Sequence, residues 1–270
     1  MKKFLSMMAL AAMTACALVS CGSDDDDSPK GPDAPETLEP QTVTVKNNGK
    51  KVSFKMMPVE AGKFTMGDES GIGEEDERPT HSVTLTKSYY IGETEVTQAL
   101  WKAVMDYNPS NSIGDNLPVE YVSWDECQEF ITKLNMLTEK NFRLPTEAEW
   151  EFAARGGNKS KGYMYSGSNN LDDVAWYYDN SDRETHPVKT KAANELGIYD
   201  MSGNVWEWCQ DRYGDYSSRS QTNPKGPSSG EARVNRGGEF FSPTYCCRPT
   251  NRDKDLPSTT YTSLGFRLAL

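Results

Sequence analysis

The part of this 270-residue chain that follows Gly157 shows no convincing helix pattern. Short strands, turns and stretches rich in aromatic, Gly, Pro, Asn and Asp residues fill this half of the chain. A compact domain seldom holds so much irregular chain unless something orders it. Buried aromatic side chains, bound ions and disulfides are the means to consider.

The first half carries clearer signals of regular structure. Alternating apolar residues predict strands in segments 42–45, 51–57, 64–67 and 81–91. Three helices have recognisable N-terminal caps: Thr97 before Gln98–Met105, Ser123 with Glu126 before a helix through Leu137, and Thr146 with Glu149 before Glu147–Arg155. The third helix is expected to stop at Gly156-Gly157, where the irregular half begins.

Residues 1–20 are typical of a secretory signal peptide. Lys2 and Lys3 precede the apolar stretch Phe4–Val19, which is too short for a convincing membrane span. The order Leu-Val-Ser-Cys at 18–21 resembles the lipobox of bacterial lipoproteins, which implies cleavage before Cys21 and acylation of its thiol. Ordinary cleavage near residues 15–17 is the alternative. We therefore expect an outer-membrane lipoprotein that meets the membrane through its lipid anchor only.

Residues 21–40 are predicted to form an acidic flexible tether. The segment is rich in Asp, Pro, Gly and Ser and has almost no apolar residue before Leu38, so it cannot bury enough surface to fold. Its run Asp24–Asp27 resembles the surface-export signal of Bacteroidetes lipoproteins, which implies a surface-exposed protein. Plain solubilising charge is the alternative.

The rest of the chain, 41–270, is long enough for one large domain with a sizeable core. The net charge of −11 argues against nucleic acid as a partner, because nucleic acid requires clustered Lys and Arg. Outside the signal peptide and Cys21, four cysteines remain: Cys127, Cys209, Cys246 and Cys247. They allow two disulfides in three connectivities, and the absence of a C-x-x-C pair makes a four-cysteine zinc site unexpected.

Residues 57–270 resemble the formylglycine-generating enzyme family, also called sulfatase-modifying factors. The two most specific stretches are RLPTEAEWEFAARGG (143–157) and GNVWEW (203–208). Further matching stretches are PVEAGKFTMG (58–67), ERPTHSVTL (77–85), YYIGETEVTQALW (89–101), PVEYVSWDECQEF (118–130), RVNRGGEF (233–240) and LGFRLAL (264–270). The resemblance implies an α+β domain over residues 41–270, with the family's variant of the C-type-lectin-like fold and low regular secondary structure.

The stretch YDMSGNVWEW carries a candidate calcium site. Two carboxylates around a tight turn with free carbonyls can gather hard oxygen ligands. The resemblance implies a calcium site with side-chain ligands at Asp200 and Glu207 and carbonyl ligands at Gly203 and Val205. The alternative is an Asx-turn at Asp200 with Glu207 solvated. A bound calcium would help to order the irregular half.

Other titratable residues carry weaker signals. Glu147 and Glu151 lie near the N-terminus of the third predicted helix, where carboxylates favour the helix dipole, so they are poor candidates for acid–base catalysis. The only histidines are His81 and His186, and no extra helical domain supplies further ligands, so a non-haem iron site is not expected. His81 is expected to be a surface or turn histidine. No G-x-S-x-G elbow or phosphate-binding loop is present.

The segment RGGEFFSPTYCC (236–247) decides whether the family's chemistry is expected. By resemblance, the oxidases of the family bind copper(I) through two cysteines, four and nine residues after the second glycine. Here those catalytic positions hold Ser242 and Cys247. A serine hydroxyl cannot replace a soft thiolate on copper(I). Cys246 should face away from Cys247 if the segment is extended, so copper is not expected.

Three functions remain open from the sequence, and the third of them is an unknown catalytic activity in the same cleft. The first is a non-catalytic, lipid-anchored envelope protein that binds a protein or glycan or helps to build an envelope assembly. The alternative is a copper-dependent oxidase that converts a sulfatase cysteine to formylglycine. For the binding function, we expect ligand contacts in the groove beside the C-terminal loops, at Glu239, Phe241, Tyr245 and Arg248.

Overall fold

A computed structural model describes residues 38–270 of the chain. The predicted signal peptide, Cys21 and residues 21–37 of the predicted tether lie outside these residues. The strands are β1 (Gln41–Asn47), β2 (Lys50–Val59), β3 (Gly62–Met66), β4 (His81–Leu85), β5 (Tyr89–Gly92), β6 (Trp206–Arg212), β7 (Gln221–Thr222), β8 (Arg233–Arg236), β9 (Arg252–Asp255) and β10 (Leu264–Gly265). The helices are α1 (Gln98–Met105), α2 (Trp124–Thr138), α3 (Glu147–Ala154) and α4 (Leu171–Val174).

Three small sheets share the ten strands, in the orders β1-β2-β5, β3-β4-β7 and β10-β6-β8-β9. β1 and β2 form a hairpin whose turn is Asn48-Gly49, with positive φ at both residues, as a tight hairpin turn requires. In the four-stranded sheet, β6 pairs with β8 antiparallel and with β10 parallel. This pairing places the GNVWEW stretch beside both the Gly-Gly segment and the C-terminus.

The three predicted helices form where their caps indicate. Thr97 accepts a hydrogen bond from the Leu100 amide at 3.3 Å. Both predicted capping boxes are formed. The Ser123 amide donates to the Glu126 carboxylate and the Thr146 amide to the Glu149 carboxylate, each at 2.9 Å. These reciprocal bonds satisfy helix amides that would otherwise lack an acceptor. The mixed α+β architecture with short elements is therefore confirmed.

Buried aromatic side chains account for part of the order in this domain. The Trp101 ring stacks on Phe130 at 5.1 Å and meets Phe266 edge-on at 6.1 Å. A second apolar cluster surrounds Trp150 and Phe152 of α3, both at most 2% exposed. Each buried aromatic contributes roughly 1.5–3 kcal/mol through the apolar surface that it removes from water.

Buried ion pairs tie the irregular half to α3. Glu147 pairs with Arg252 (Oε1 to Nε, 2.7 Å), and Glu151 pairs with Arg236 (Oε2 to Nη2, 2.5 Å). A carboxylate and a guanidinium buried together must satisfy one another, because neither can be left uncompensated out of water. Glu147 and Glu151 therefore do more than favour the helix dipole, since they fix β8 and β9, which lie far from α3 in sequence.

Disulfides make no contribution within residues 38–270, where Cys127, Cys209, Cys246 and Cys247 are all free thiols. The expectation of a surface histidine at position 81 was wrong. His81 is 4% exposed and packs edge-on against the Tyr216 ring at 4.9 Å, because β4 buries alternate side chains that begin with this one. None of the helices in this part of the chain has the length and hydropathy needed to cross a membrane.

Candidate functional site

The segment that follows β8 is a compact loop and not a strand. Gly237 and Gly238 both have positive φ (103° and 74°), which turns the chain sharply out of the sheet. The Ser242 amide then closes a turn by donating to the Glu239 carbonyl at 3.0 Å, and residues Thr244–Cys247 form one 3-10 turn. The segment is therefore not extended, so the condition under which Cys246 and Cys247 would face opposite ways is not met. The positive φ of the two glycines and the turn closed at Ser242 take this segment out of an extended path.

Cys247, at the family's second catalytic position, is completely buried. Its Sγ lies 3.9 Å from the Pro243 carbonyl oxygen, and a side chain added at Gly238 would come within 3.1 Å of it. Burial raises the pKa of this thiol well above its usual range, and the neighbouring Cys246 raises it further. Because the thiolate is the reactive form of cysteine, this burial disfavours the reactive state of Cys247.

Ser242, at the family's first catalytic position, serves the loop itself. It is 5% exposed, and its Oγ accepts a hydrogen bond from the Glu239 amide at 3.1 Å. The neighbouring Cys246 is half-buried, and burial raises the pKa of its thiol to about 11. The Ser242 hydroxyl is a hard ligand and does not fit copper(I), which prefers soft thiolates.

The four predicted ligand-binding residues differ in exposure. Phe241 and Tyr245 are 45% and 49% exposed, so both rings are available to a ligand. Glu239 is half-buried, and burial raises the pKa of its carboxyl. Arg248 is not an exposed contact as expected. It is 4% exposed, because Nη1 and Nη2 donate to the Glu77 carboxylate at 2.8 and 2.6 Å.

Tyr178 and Arg183 join Phe241 in an exposed group that the sequence analysis missed. The Tyr178 and Phe241 rings meet at 5.1 Å, and the Arg183 guanidinium lies over both rings at 5.7 and 5.3 Å. The Tyr178 amide donates to the Ser242 carbonyl, which joins the two loops. We call Tyr178, Arg183 and Phe241 the aromatic patch. Its members come from two loops that are far apart in sequence, so no local sequence pattern could reveal it.

The predicted calcium residues lie together at the start of β6. Gly203 has a φ of 78° and sits against the Trp176 carbonyl. Asp200 is 3% exposed, and its Oδ2 accepts a hydrogen bond from the Lys189 amide at 2.7 Å. Glu207 is not solvated. Its two carboxylate oxygens accept hydrogen bonds from Arg267, each at 2.6 Å, and Oε2 also accepts one from Trp150.

Glu95 adds a carboxyl group to this region that the sequence analysis did not single out. It is 2% exposed, and its Oε2 has no hydrogen-bond partner among residues 38–270. Burial, and to a lesser extent the nearby charge of Asp200, raises the pKa of Glu95 well above its usual range. Burial also raises the pKa of Asp200, to about 6. The carboxyls of Glu95 and Asp200 are buried near each other, and one Glu95 oxygen lacks a hydrogen-bond partner. Such oxygens match the hard ligands that calcium takes.

The described residues contain no group of three or more His, Cys, Asp and Glu side chains arranged to hold a metal ion. The calcium set differs from such a group because half of it consists of the carbonyls of Gly203 and Val205. Carbonyl oxygens are ordinary calcium ligands, so the residues present remain compatible with this ion.

Comparisons with known proteins agree with this architecture. The profile of the sulfatase-modifying factor enzyme 1-like domain matches residues 41–270. The chain is 34% identical to "Chaperone protein LppX" of Paenibacillus barcinonensis, over 71% of this chain and 80% of that protein. It is 30% identical to the mouse formylglycine-generating enzyme, over 80% and 74% of the two chains.

The fold of this chain is also similar to that of a solved structure. "Treponema denticola variable protein 1" superimposes with a TM-score of 0.78 at 34% identity, over 86% of this chain and 99% of that one. The profile match spans most of the chain. This chain therefore belongs to the sulfatase-modifying factor enzyme 1-like domain family.

Proposed function

We propose that this protein is a non-catalytic member of its family, a lipid-anchored envelope protein that binds a protein or glycan partner. The observation that carries the proposal is the replacement of a copper-binding thiolate by Ser242, whose hydroxyl is used by the Glu239 amide. The remaining thiol at the family's copper positions, Cys247, is completely buried. One thiol and one hydroxyl do not supply the two soft thiolates that copper(I) prefers.

The aromatic patch supports the binding role. Tyr178 and Phe241 are each 45% exposed, and Arg183 covers both rings. Binding hot spots are enriched in aromatic and arginine side chains, which supply a large contact area at low cost in conformational entropy. The relatives named as a chaperone and as a variable protein show that the scaffold is not restricted to proteins named as oxidases.

The envelope location rests on the N-terminal sequence. The lipobox at residues 18–21 supports acylation of Cys21, and the acidic residues 24–27 support exposure at the cell surface. A Cys21→Ser variant should leave the membrane fraction and lose incorporation of a labelled fatty acid. An unchanged membrane association in that variant would contradict the anchor.

Calcium is part of the same proposal, as a structural ion. Asp200 and Glu207 would hold it through their side chains, and Gly203 and Val205 through their carbonyls. Glu95 lies close to Asp200 and supplies one more buried oxygen. The ion would compensate the charge of these carboxylates and fix the turn before β6.

The binding role is tested by capture of partners from envelope extract or on a glycan array. Phe241→Ala should capture at least about tenfold less partner than the wild-type protein, because it lacks one ring of the patch. Met136→Ala is the matched control, since Met136 is 71% exposed on α2 and belongs to no part of the patch. Equal capture by wild type and Phe241→Ala would exclude the patch as the binding surface.

The non-catalytic role is tested with a sulfatase-derived peptide that contains the cysteine to be modified. The copper-treated wild-type protein should consume no oxygen above background and leave the peptide cysteine unchanged by mass spectrometry. Formylglycine in the peptide would establish the oxidase alternative and overturn the proposal.

A further inference from the structure

A cavity of about 290 Å³ lies beside the buried ion pairs, on the side of the loop that follows β3. Asp68, Arg155, Arg248 and Asn169 line the cavity. The exposed side chains of Ile72 (64%) and Met164 (47%) line it as well. A volume at the lower end of the usual range for ligand pockets suits a small molecule or a single sugar residue.

Two acceptor side chains of this cavity are already used by the protein. Asp68 Oδ1 accepts hydrogen bonds from the Ser70 amide at 3.0 Å and hydroxyl at 2.5 Å, and Oδ2 accepts one from the Gly73 amide at 2.9 Å. Asn169 Oδ1 accepts one from the Met164 amide at 2.9 Å. Asp68 and Asn169 therefore offer little to a ligand that donates hydrogen bonds.

Donor groups, in contrast, are left over. Arg248 is 4% exposed, and its Nε has no acceptor among residues 38–270. Arg155 uses Nε on Glu151 (2.9 Å) and Nη2 on the Gly67 carbonyl (2.7 Å), which leaves Nη1 for another acceptor. A buried guanidinium N–H without an acceptor is costly, and an oxygen of a bound ligand would remove that cost.

Two arginines, Arg155 and Arg248, line the cavity together with two acidic residues, Asp68 and Glu69. Net charge alone therefore does not select the ligand, and the N–H groups left without acceptors do. Arginine is well suited to oxyanions, because its planar N–H groups match their geometry. The exposed Glu69 also lines the cavity and opposes an anion there.

We propose that this cavity binds the oxyanion group, a sulfate or a carboxylate, of a small acidic ligand such as an acidic sugar. Arg155 and Arg248 would bind the oxygens, and Ile72 and Met164 would contact the body of the ligand. This proposal goes beyond the partner binding proposed above, because no residue of the aromatic patch lines the cavity.

The test is titration calorimetry of the purified protein at constant ionic strength, with inorganic sulfate, D-glucuronate and neutral D-glucose as probes. Glucuronate or sulfate should bind saturably, and glucose should not. Arg155→Gln should weaken anion binding at least about tenfold, because it removes a charged donor. Arg219→Gln, which removes an exposed arginine that belongs neither to the cavity nor to the aromatic patch, should leave the affinity unchanged. Stronger binding of glucuronate than of sulfate would assign the site to an acidic sugar, and the reverse to a free inorganic anion.

Glu69→Gln provides a second variant that does not disturb the buried ion pairs. It should tighten anion binding severalfold, because it removes an opposing charge at the cavity. The proposal would be overturned by the absence of saturable anion binding, by glucose binding as tightly as glucuronate, or by an affinity that neither Arg155→Gln nor Glu69→Gln changes. Formylglycine production would refute the proposed function and would leave the anion-binding results unchanged. Failure of the proposed function can therefore be told apart from failure of the anion site.

Discussion

Replacement of Arg236 by Met should destabilise the protein strongly, because buried ion pairs hold the irregular half in place. Arg236 and Glu151 are both completely buried. The guanidinium donates to Glu151 Oε2 at 2.5 Å, to Glu147 Oε1 at 3.3 Å and to the Pro249 carbonyl at 2.8 Å. Methionine has a similar length but offers neither charge nor donors, so these acceptors lose a partner in a site that water does not reach.

The size of the effect follows from what remains in the site. Removal of one partner of a buried ion pair typically costs about 3–5 kcal/mol. Glu151 keeps Arg155 and the Gly67 amide, and Glu147 keeps Arg252, so we expect a loss near the lower limit, about 3 kcal/mol. This is a large share of the roughly 5–15 kcal/mol that stabilises an ordinary domain.

Urea denaturation measures this loss through the unfolding midpoint and slope. The double variant Arg236→Met/Glu151→Gln should recover part of the stability, because the uncompensated carboxylate is then removed. Arg183→Met is the control, since an exposed arginine should change the free energy of unfolding by no more than about 0.5 kcal/mol. A loss below about 1 kcal/mol in Arg236→Met, or additive losses in the double variant, would refute this role for the ion pairs.

Three further predictions concern single sites. Gly203→Ala should cost at least about 2 kcal/mol of unfolding free energy, because its Cβ would lie 2.2 Å from the Trp176 carbonyl oxygen. Gly162→Ala also has positive φ but meets nothing within 4 Å, so a larger loss at Gly203 in urea denaturation isolates the clash, and equal losses would contradict it. Burial, followed by the charge of Glu147, raises the pKa of Asp211 to about 8. The folded state therefore binds more protons than the unfolded state between about pH 4 and pH 8, and stability falls as pH rises through this window. Asp211→Asn should flatten that fall by up to about 1.4 kcal/mol per pH unit, and an unchanged pH profile of urea midpoints would contradict the shift. Removal of calcium by a chelator should lower the melting temperature by several degrees in wild type but not in Asp200→Ala, whereas an unchanged wild-type melt would count against the ion.

Local signals in the sequence predicted the helices well. A cap is formed by residues three apart, so Thr97, Ser123 and Thr146 each indicated where a helix begins. The family motifs predicted the mixed fold with short elements for the same reason, since they are contiguous stretches with distinctive residues. The exposure of Phe241 and Tyr245 also agreed with expectation.

Contacts between distant segments could not be predicted in this way. Arg248 lies 171 residues from Glu77, and nothing near either residue indicates the pair. The same reason explains why the burial of Arg248 was not predicted and why the patch partners Tyr178 and Arg183 were missed. The loop at residues 239–247 was not predicted either, because its path depends on the two glycines and on the turn closed by Ser242.

The central claim is that Ser242 marks the loss of copper chemistry in this protein. Copper(I) titration of wild type and Ser242→Cys, each in competition with a chelator of known affinity, tests it most directly. We predict no tight copper binding by wild type and a gain of tight binding by Ser242→Cys. The variant restores a thiol at the family's first copper position, where it can act together with Cys247. Tight binding of copper(I) by the wild-type protein, at the same affinity as Ser242→Cys, would contradict the account.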